Sequence, residues 1–182
     1  MNRSIPLLSA LLLSCFATAS HAEGLRFLPG LDAGFKFEPS LALTAGIAHA
    51  TGAADDVVGI YGIDFNMNCG LIQTPDNRIR THVQINRIDQ SGLQATSVEL
   101  SPRYTLPLGK GFSFGAGPAL AWVHADSGLG GKDLFGYGAA AGFSFRKGHY
   151  YSGLDLRYLN TEERGQTQLE QVALQAKVGI NF

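Results

Sequence analysis

From Val172 to the end of the chain every second residue is apolar: Val172, Leu174, Ala176, Val178, Ile180 and Phe182. Between them stand Ala173, Gln175, Lys177, Gly179 and Asn181. A β-strand turns successive side chains to opposite faces, so this segment carries one apolar face and one small-or-polar face. The apolar face ends on an aromatic residue at the carboxyl terminus.

The opposite end reads as a secretory signal peptide over Met1–Ala22. Arg3 supplies the positive start, Ile5–Ala19 the apolar stretch, and Ser20-His21-Ala22 the small residues that cleavage needs. The mature chain is predicted to begin at Glu23. Leu12-Leu13-Ser14-Cys15 loosely resembles a lipobox, although its second Leu fits poorly, and Cys15 otherwise serves as an apolar signal residue.

Loss of this leader removes Arg3 from the 14 basic residues and none of the 15 acidic ones, so the mature charge is −2. Nothing in that balance suggests nucleic acid as a partner. Cys69 alone remains of the 2 cysteines, which excludes an intramolecular disulfide and a multi-cysteine metal motif. No mature apolar run approaches the roughly 18 residues of a spanning helix. Export without a helical anchor leaves two fates, a soluble secreted protein or a β-barrel.

Strand patterns and turn signals alternate along the mature chain. Strands are predicted over about 38–49, 57–69, 79–88, 95–106, 111–124, 134–146, 149–160 and 169–182. The connections are rich in Gly, Asn and Asp, as in Thr74-Pro75-Asp76-Asn77, Leu108-Gly109-Lys110 and Arg146-Lys147-Gly148-His149. Eight strands on short hairpins suit an antiparallel up-and-down meander, and closing it into a barrel removes the exposed edges. The chain thus divides into a signal peptide over 1–22, a barrel over 38–182, and between them residues 23–37. That middle stretch is either an N-terminal periplasmic segment or the start of the first strand.

A soluble barrel and a membrane barrel show the same alternation inside out. Tyr61, Ile63 and Phe65 alternate with Asp64 and Asn66; Thr81, Val83 and Ile85 alternate with Arg80, His82, Gln84 and Asn86. Gly115, Gly117, Ala119 and Ala121, and likewise Gly136, Gly138, Ala140 and Gly142, form a phase of small residues. A water-facing phase would carry Lys, Glu or Thr instead. Small residues suit a crowded lumen that must admit long side chains from neighbouring strands, such as Arg103, Tyr151 and Arg157. Aromatics cluster at strand ends: Tyr104, Phe112, Phe143, Phe145, Tyr150 and Phe182 at one level, Tyr61, Trp122, Phe135, Tyr137 and Tyr158 at the other. Two girdles flanking an apolar band are the pattern of a transmembrane barrel. Cys69 is expected on the lipid-facing phase.

On these features the whole mature chain resembles small outer-membrane barrels of the OmpA transmembrane-domain and OmpX type. Ser101-Pro102-Arg103-Tyr104-Thr105-Leu106-Pro107-Leu108-Gly109, Gly115-Ala116-Gly117-Pro118-Ala119 and the ending Lys177-Val178-Gly179-Ile180-Asn181-Phe182 are similar to segments of that family. The resemblance implies an all-β, eight-stranded antiparallel up-and-down transmembrane β-barrel in a Gram-negative outer membrane. It also implies Phe182 as the assembly signal read by the barrel assembly machinery. No further peptidoglycan-binding domain is expected. Lipid and lipopolysaccharide are the expected surroundings, and the barrel is expected to be a monomer.

The candidate site is the polar lumen: Asp64, Arg80, His82, Glu99, Arg103, Asp155, Arg157 and Lys177. Unpaired charge in a narrow lumen is costly, so these residues are expected to form one hydrogen-bonded network. Arg80, Arg103 and Arg157 are expected to pair with Glu99, Asp64 or Asp155. Eight strands leave an interior just wide enough for side chains to fill, which favours a structural plug over a selectivity filter. The expected role is structural or surface-interacting, and a narrow porin-like channel for small solutes is the alternative.

A lipid A-modifying enzyme fits less well. The late His-x-Ser-Asn stretch of the deacylases is replaced here by Arg157-Tyr158-Leu159-Asn160. His49 and His124 fall near the far strand ends, the latter beside Asp126 and Ser127. Rim histidines of that kind are ordinary solvated strand ends, and no catalytic residue, metal or cofactor is assigned. An acidic rim of Asp55, Asp56, Asp89, Asp126, Asp133, Glu162 and Glu163 faces Arg87, Lys132 and Arg164 on connections of about six to nine residues. Such a rim offers oxygen ligands to divalent cations that bridge lipopolysaccharide.

Overall fold

A computed structural model describes residues 24–51, 56–90, 93–126, 131–162 and 170–182. The expected signal peptide and its cleavage site, with Cys15, lie outside the described residues, as do Asp55, Ser127, Glu163 and Arg164.

Ten strands are present among the described residues. They are β1 (Arg26–Phe27), β2 (Ser40–Thr51), β3 (Asp56–Asn68), β4 (Ile72–Gln73), β5 (Ile79–Gln90), β6 (Leu93–Gly109), β7 (Phe112–Asp126), β8 (Gly131–Lys147), β9 (Tyr150–Thr161) and β10 (Glu170–Asn181). Eight of them close into an antiparallel barrel in the order β10-β2-β3-β5-β6-β7-β8-β9. The seam is a full ladder from Ser40↔Asn181 to Thr51↔Glu170. Both ends of the barrel chain therefore lie on one rim, here the terminal rim, and the opposite one is the far rim.

The turn residues act where the chain demands unusual backbone. Gly109, Lys110 and Gly111 all have positive φ, at 91°, 54° and 87°, and they reverse the chain between β6 and β7. Asn77 at φ 54° ends the Thr74 turn, in which the Thr74 hydroxyl donates to Asp76 and accepts from the Arg78 amide at 2.8 Å each. At the far rim the ladder runs further than the turn composition suggests. Asp89 and Gln90 pair with Gln94 and Leu93, which leaves two residues between β5 and β6. Of the connections expected at six to nine residues, two more are shorter, at four residues for 52–55 and for 127–130, while 162–169 has the expected length. Polar residues that signal a turn are equally able to extend a hairpin when their backbones find partners.

The segment before Ser40 belongs to no barrel strand. It runs back along the chain that follows β3: the Asn68 amide donates to the Phe37 carbonyl, Gly30 to Gly70 and Leu28 to Leu71. β1 then pairs with β4. A Cβ on Gly30 would fall 3.1 Å from the Gly70 Cα, so this close approach of two backbones favours glycine. Cys69, expected to face lipid, is instead buried in this arrangement, its amide donating to the Ile79 carbonyl. The strand ends at Asn68, and the residue after it turns in beneath the arm.

The faces divide as strongly as the ladder does. Leu43, Ile63, Leu100, Leu120, Leu154, Leu156 and Leu174 all lie open on the outer wall. The aromatics Tyr104, Phe112, Phe143, Tyr150 and Phe182 ring its lower part, and Tyr61, Trp122, Phe135, Tyr137 and Tyr158 its upper part. Lys177, Asp64, Gln84 and Glu99 are buried inside. An exterior of this composition is stable only against an apolar solvent, and the ladder closes on itself without a free strand edge. Leu100→Arg and Leu174→Arg should each cost roughly 2–4 kcal/mol of folding free energy in bilayers. Gln94→Arg at the far rim should cost at most about 1 kcal/mol, because the penalty falls toward the interface. Unfolding titrations in lipid vesicles distinguish the two classes, and equal costs would refute the assignment of faces.

Candidate functional site

The lumen is filled in tiers. Nearest the terminal rim, the Arg80 guanidinium donates to Asn68 at 2.7 Å and to Asn66 at 3.3 Å. It also donates to the Glu38 carbonyl at 2.7 Å and faces the Glu38 carboxylate at 3.9 Å. Arg146, half-buried on β8, donates to the same Asn66 oxygen and lies over the Tyr151 ring at 5.0 Å. Arg80 was expected to meet Asp64, Glu99 or Asp155; its counter-charge comes instead from Glu38, outside the barrel strands. The sequence pattern gave no reason to place residue 38 at the mouth of the lumen.

The middle tier centres on two carboxylates. Asp155 accepts from Arg103 at 2.7 Å and meets Lys177 at 2.6 Å. Asp64 meets Lys177 at 3.2 Å and His82 Nδ1 at 3.1 Å, and accepts from the Asn66 amide at 2.9 Å. Lys177 on β10 thereby bridges β3 and β9. Above them, Arg157 pairs with Glu99 at 3.5 Å and donates to the Gln84 oxygen. Gln84 turns its amide toward Asp155 at 3.5 Å. Gln175 donates to Asn86 at 3.0 Å and approaches Thr44 at 3.5 Å.

All eight sequence-predicted residues thus lie in one connected set that draws on β3, β5, β6, β9 and β10. Sequence reasoning missed Arg146, Glu38 and the glutamine and asparagine links. Gln84 and Asn86 were placed on the correct phase, but only the ladder register brings Gln84 to Arg157 and Asn86 to Gln175.

Small residues on β7 and β8 make the room. A Cβ on Gly142 would lie 2.2 Å from an Asp155 carboxylate oxygen, so the wall must lack a side chain there for Asp155 to fit. The same holds less tightly for Gly136 against Leu159, at 3.0 Å.

The uppermost tier differs from the expected polar lumen. Val58, Ile60, Ile88, Val123, Leu134 and Leu159, with Ala48, Ala50, Ala95, Ala121, Ala125 and Ala173, form a continuous buried apolar cluster toward the far rim. The inward phase of each strand changes character with height. On β3 it reads Asn68, Asn66, Asp64, Gly62, Ile60, Val58, and on β9 Asp155, Arg157, Leu159. The signal was present in Val57-Val58-Gly59-Ile60-Tyr61, which is apolar or small on both phases.

The rim histidines do not assemble into a site. His124 Nδ1 pairs with Asp133 at 2.7 Å, and its ring lies 6.4 Å from that of Trp122. His49 lies on β2, four strands away around the barrel and exposed on the outer wall. Arg157, which stands where the deacylase stretch has its His, is buried in the lumen network. Among the described residues no group of three or more His, Cys, Asp or Glu is arranged to hold a metal ion.

No protein-family model and no characterised protein sequence matches the chain. Solved structures do match its fold. Neisserial surface protein A (NspA) superposes with a TM-score of 0.58 at 16% identity, over 79% of this chain and 97% of that one. The N-terminal β-barrel domain of Pseudomonas aeruginosa OprF gives a TM-score of 0.53 at 13% identity, over 81% and 100%. The chain therefore shares the eight-stranded barrel fold of these small outer-membrane proteins.

The network makes a stability prediction. Removal of one partner of a buried ion pair strands the other, at a cost of about 3–5 kcal/mol. Glu99→Gln should destabilise the barrel on that scale by leaving Arg157 uncompensated. Asp155→Asn should cost at least as much, since Asp155 faces both Arg103 and Lys177. Equilibrium unfolding in detergent or lipid, compared with exposed Asp76→Asn as a control, measures both. Losses no greater than that of the surface variant would show that the lumen charges are not coupled.

Proposed function

We propose that this protein is an integral outer-membrane barrel of a Gram-negative bacterium whose lumen is a permanent plug, and that its role is structural or lies at the cell surface. The observation that carries the reading is the filling of the lumen by two unlike layers, an ion-pair network below and a buried apolar cluster above. A conduit for small solutes needs a continuous wettable path. The cluster of Val58, Ile60, Val123, Leu134 and Leu159 opposes one, because an apolar constriction of this kind dewets. The narrow-channel alternative rests on the polar tier alone.

The outer-membrane location is supported by the apolar exterior with its two aromatic girdles, by the fold shared with outer-membrane barrels, and by the export signal expected at 1–22. In this reading the terminal rim faces the periplasm. The far rim carries Asp89, Asp126, Asp133, Glu162 and Glu170 against Arg87 and Lys132 among the described residues. An acidic surface of this kind suits divalent cations shared with lipopolysaccharide. Phe182, exposed at the end of the closing strand with its amide donating to the Pro39 carbonyl, is the proposed assembly signal. The barrel is proposed to act as a monomer, and neither nucleic acid nor a cofactor enters the reading.

Two experiments test this reading. Epitopes inserted after Asp126 should be labelled on intact cells, whereas one inserted at Lys110 should become accessible only after the outer membrane is broken. The opposite pattern would invert the topology. In planar bilayers the wild-type protein should show no steady conductance, and Leu134→Ser combined with Leu159→Ser should introduce one by wetting the apolar tier. A stable ohmic pore in the wild type would transfer the assignment to the channel reading.

A further inference from the structure

The N-terminal arm and the chain after β3 form a short foot on the terminal rim, outside the closed barrel ladder. Its backbone continues the β2–β3 wall: Ser40↔Asn66 is the last barrel pair, followed by the Asn68 amide donating to Phe37 and the Leu28 amide to Leu71, and then by the β1–β4 pair. Leu25, Phe27, Leu28, Leu31, Leu71 and Ile72 of this foot are between 40% and 82% exposed. Six large apolar side chains left open on one small projection exceed what a water-facing surface carries without a partner.

We infer that this foot is a membrane-interface anchor, seated in the phospholipid leaflet on the side of the terminal rim. The inference rests on the membrane reading of the barrel. Three observations select lipid as the partner. The foot is continuous with the outer wall, since Leu41 and Phe65 are lipid-facing residues of the same two strands directly above it. Its charges are compatible with a headgroup layer. Arg26 is paired with Asp32 at 2.6 Å and Arg78 with Asp76 at 2.5 Å, so no lone carboxylate interrupts the apolar surface.

The surplus charge around the rim is basic. Arg26, Lys36, Arg78, Lys110 and Lys147 stand against Asp32, Glu38 and Asp76 among the described residues. A surface with leucine and phenylalanine on one side and basic groups within reach of phosphates is the composition of interfacial segments. The aliphatic stem of Arg26 lets its charge reach the headgroups while Phe27 enters the acyl boundary.

Depth-dependent fluorescence quenching tests the anchor. Trp122 is the only tryptophan, and it lies exposed in the upper girdle of the barrel wall. The wild type therefore reports on barrel insertion. A second protein, Trp122→Phe with Phe27→Trp, reports on the foot, and Trp122→Phe with Leu31→Trp repeats the measurement should the first substitution disturb the arm. Each is reconstituted at low density in phosphatidylethanolamine and phosphatidylglycerol vesicles, with or without bromine on the acyl chains.

The expected result is a blue-shifted emission from the introduced tryptophan that loses most of its intensity in brominated lipid and resists aqueous iodide, as Trp122 does. Quenching of Trp122 with an introduced tryptophan that answers only to iodide would overturn the anchor and leave the barrel reading standing. Absence of lipid quenching at both sites would remove the barrel reading and the anchor with it. Shielding that appears only as the protein-to-lipid ratio rises would assign the foot to a second copy of the chain, and would equally overturn the proposal.

Discussion

Asp155 stands between Arg103 at 2.7 Å and Lys177 at 2.6 Å, and much of the barrel is arranged so that it can. A carboxylate in a lumen this narrow is tolerable only when cations and hydrogen-bond donors replace its water. Those donors come from three different strands, β5, β6 and β10, and each must be in register to reach it. Gly142 removes the side chain that would occupy its place. The same logic fixes Asp64 between Lys177 and His82. The lumen charges therefore act as a register device. A one-residue slip of β3, β5, β6, β9 or β10 would turn its charge toward the lipid face and leave a partner unpaired inside.

The barrel has three environments rather than two. The outer wall meets an apolar solvent and offers it leucine, valine and aromatic rings. The lower lumen is polar and ion-paired. The upper lumen is apolar again, sealed by Leu134, Leu159, Val123 and Val58. Burial of this second apolar layer contributes stability in the ordinary way of a protein core. It also excludes water from the network beneath it, which strengthens every ion pair there. The two tiers are complementary: the apolar layer alone would not specify register, and the ionic layer alone would stand open to solvent.

Most of the wall was legible in the chain because a period of two is a strong signal when sustained over twelve or more residues. The alternation placed all eight charged lumen residues on the inner phase and the two girdles on the outer one. Height within the lumen was not legible, because it depends on which residue stands opposite which. Val58 and Asp64 share one phase of β3, and nothing local says that they belong to different tiers. The arm at 24–39 was opaque for another reason. Gly24-Leu25-Arg26-Phe27-Leu28-Pro29-Gly30 carries no sustained period, and its partners at 70–73 read as part of an ordinary turn. Glu38 was therefore never a candidate partner for Arg80.

Closure of the barrel explains why the bridging cation sits where it does. Every barrel strand after β2, β10 included, can pair with the barrel strand before it, at low loop-closure cost, as the chain extends. The seam between β2 and β10 joins residues as far apart as Ser40 and Asn181 and can form only when all other strands are in place. Before that step Asp64 and Asp155 lie on strands that the open sheet holds far apart. Lys177 can already meet Asp155 within the β9–β10 hairpin, and closure of the seam brings Asp64 to the same ammonium. Closure thus removes two strand edges and brings a cation to the buried Asp64 in the same event. An open sheet lacks both gains, which adds to the seam's ladder hydrogen bonds in favouring the closed state over partly paired intermediates. Lys177, on the small-or-polar face of the terminal strand, is the residue that rewards closing it.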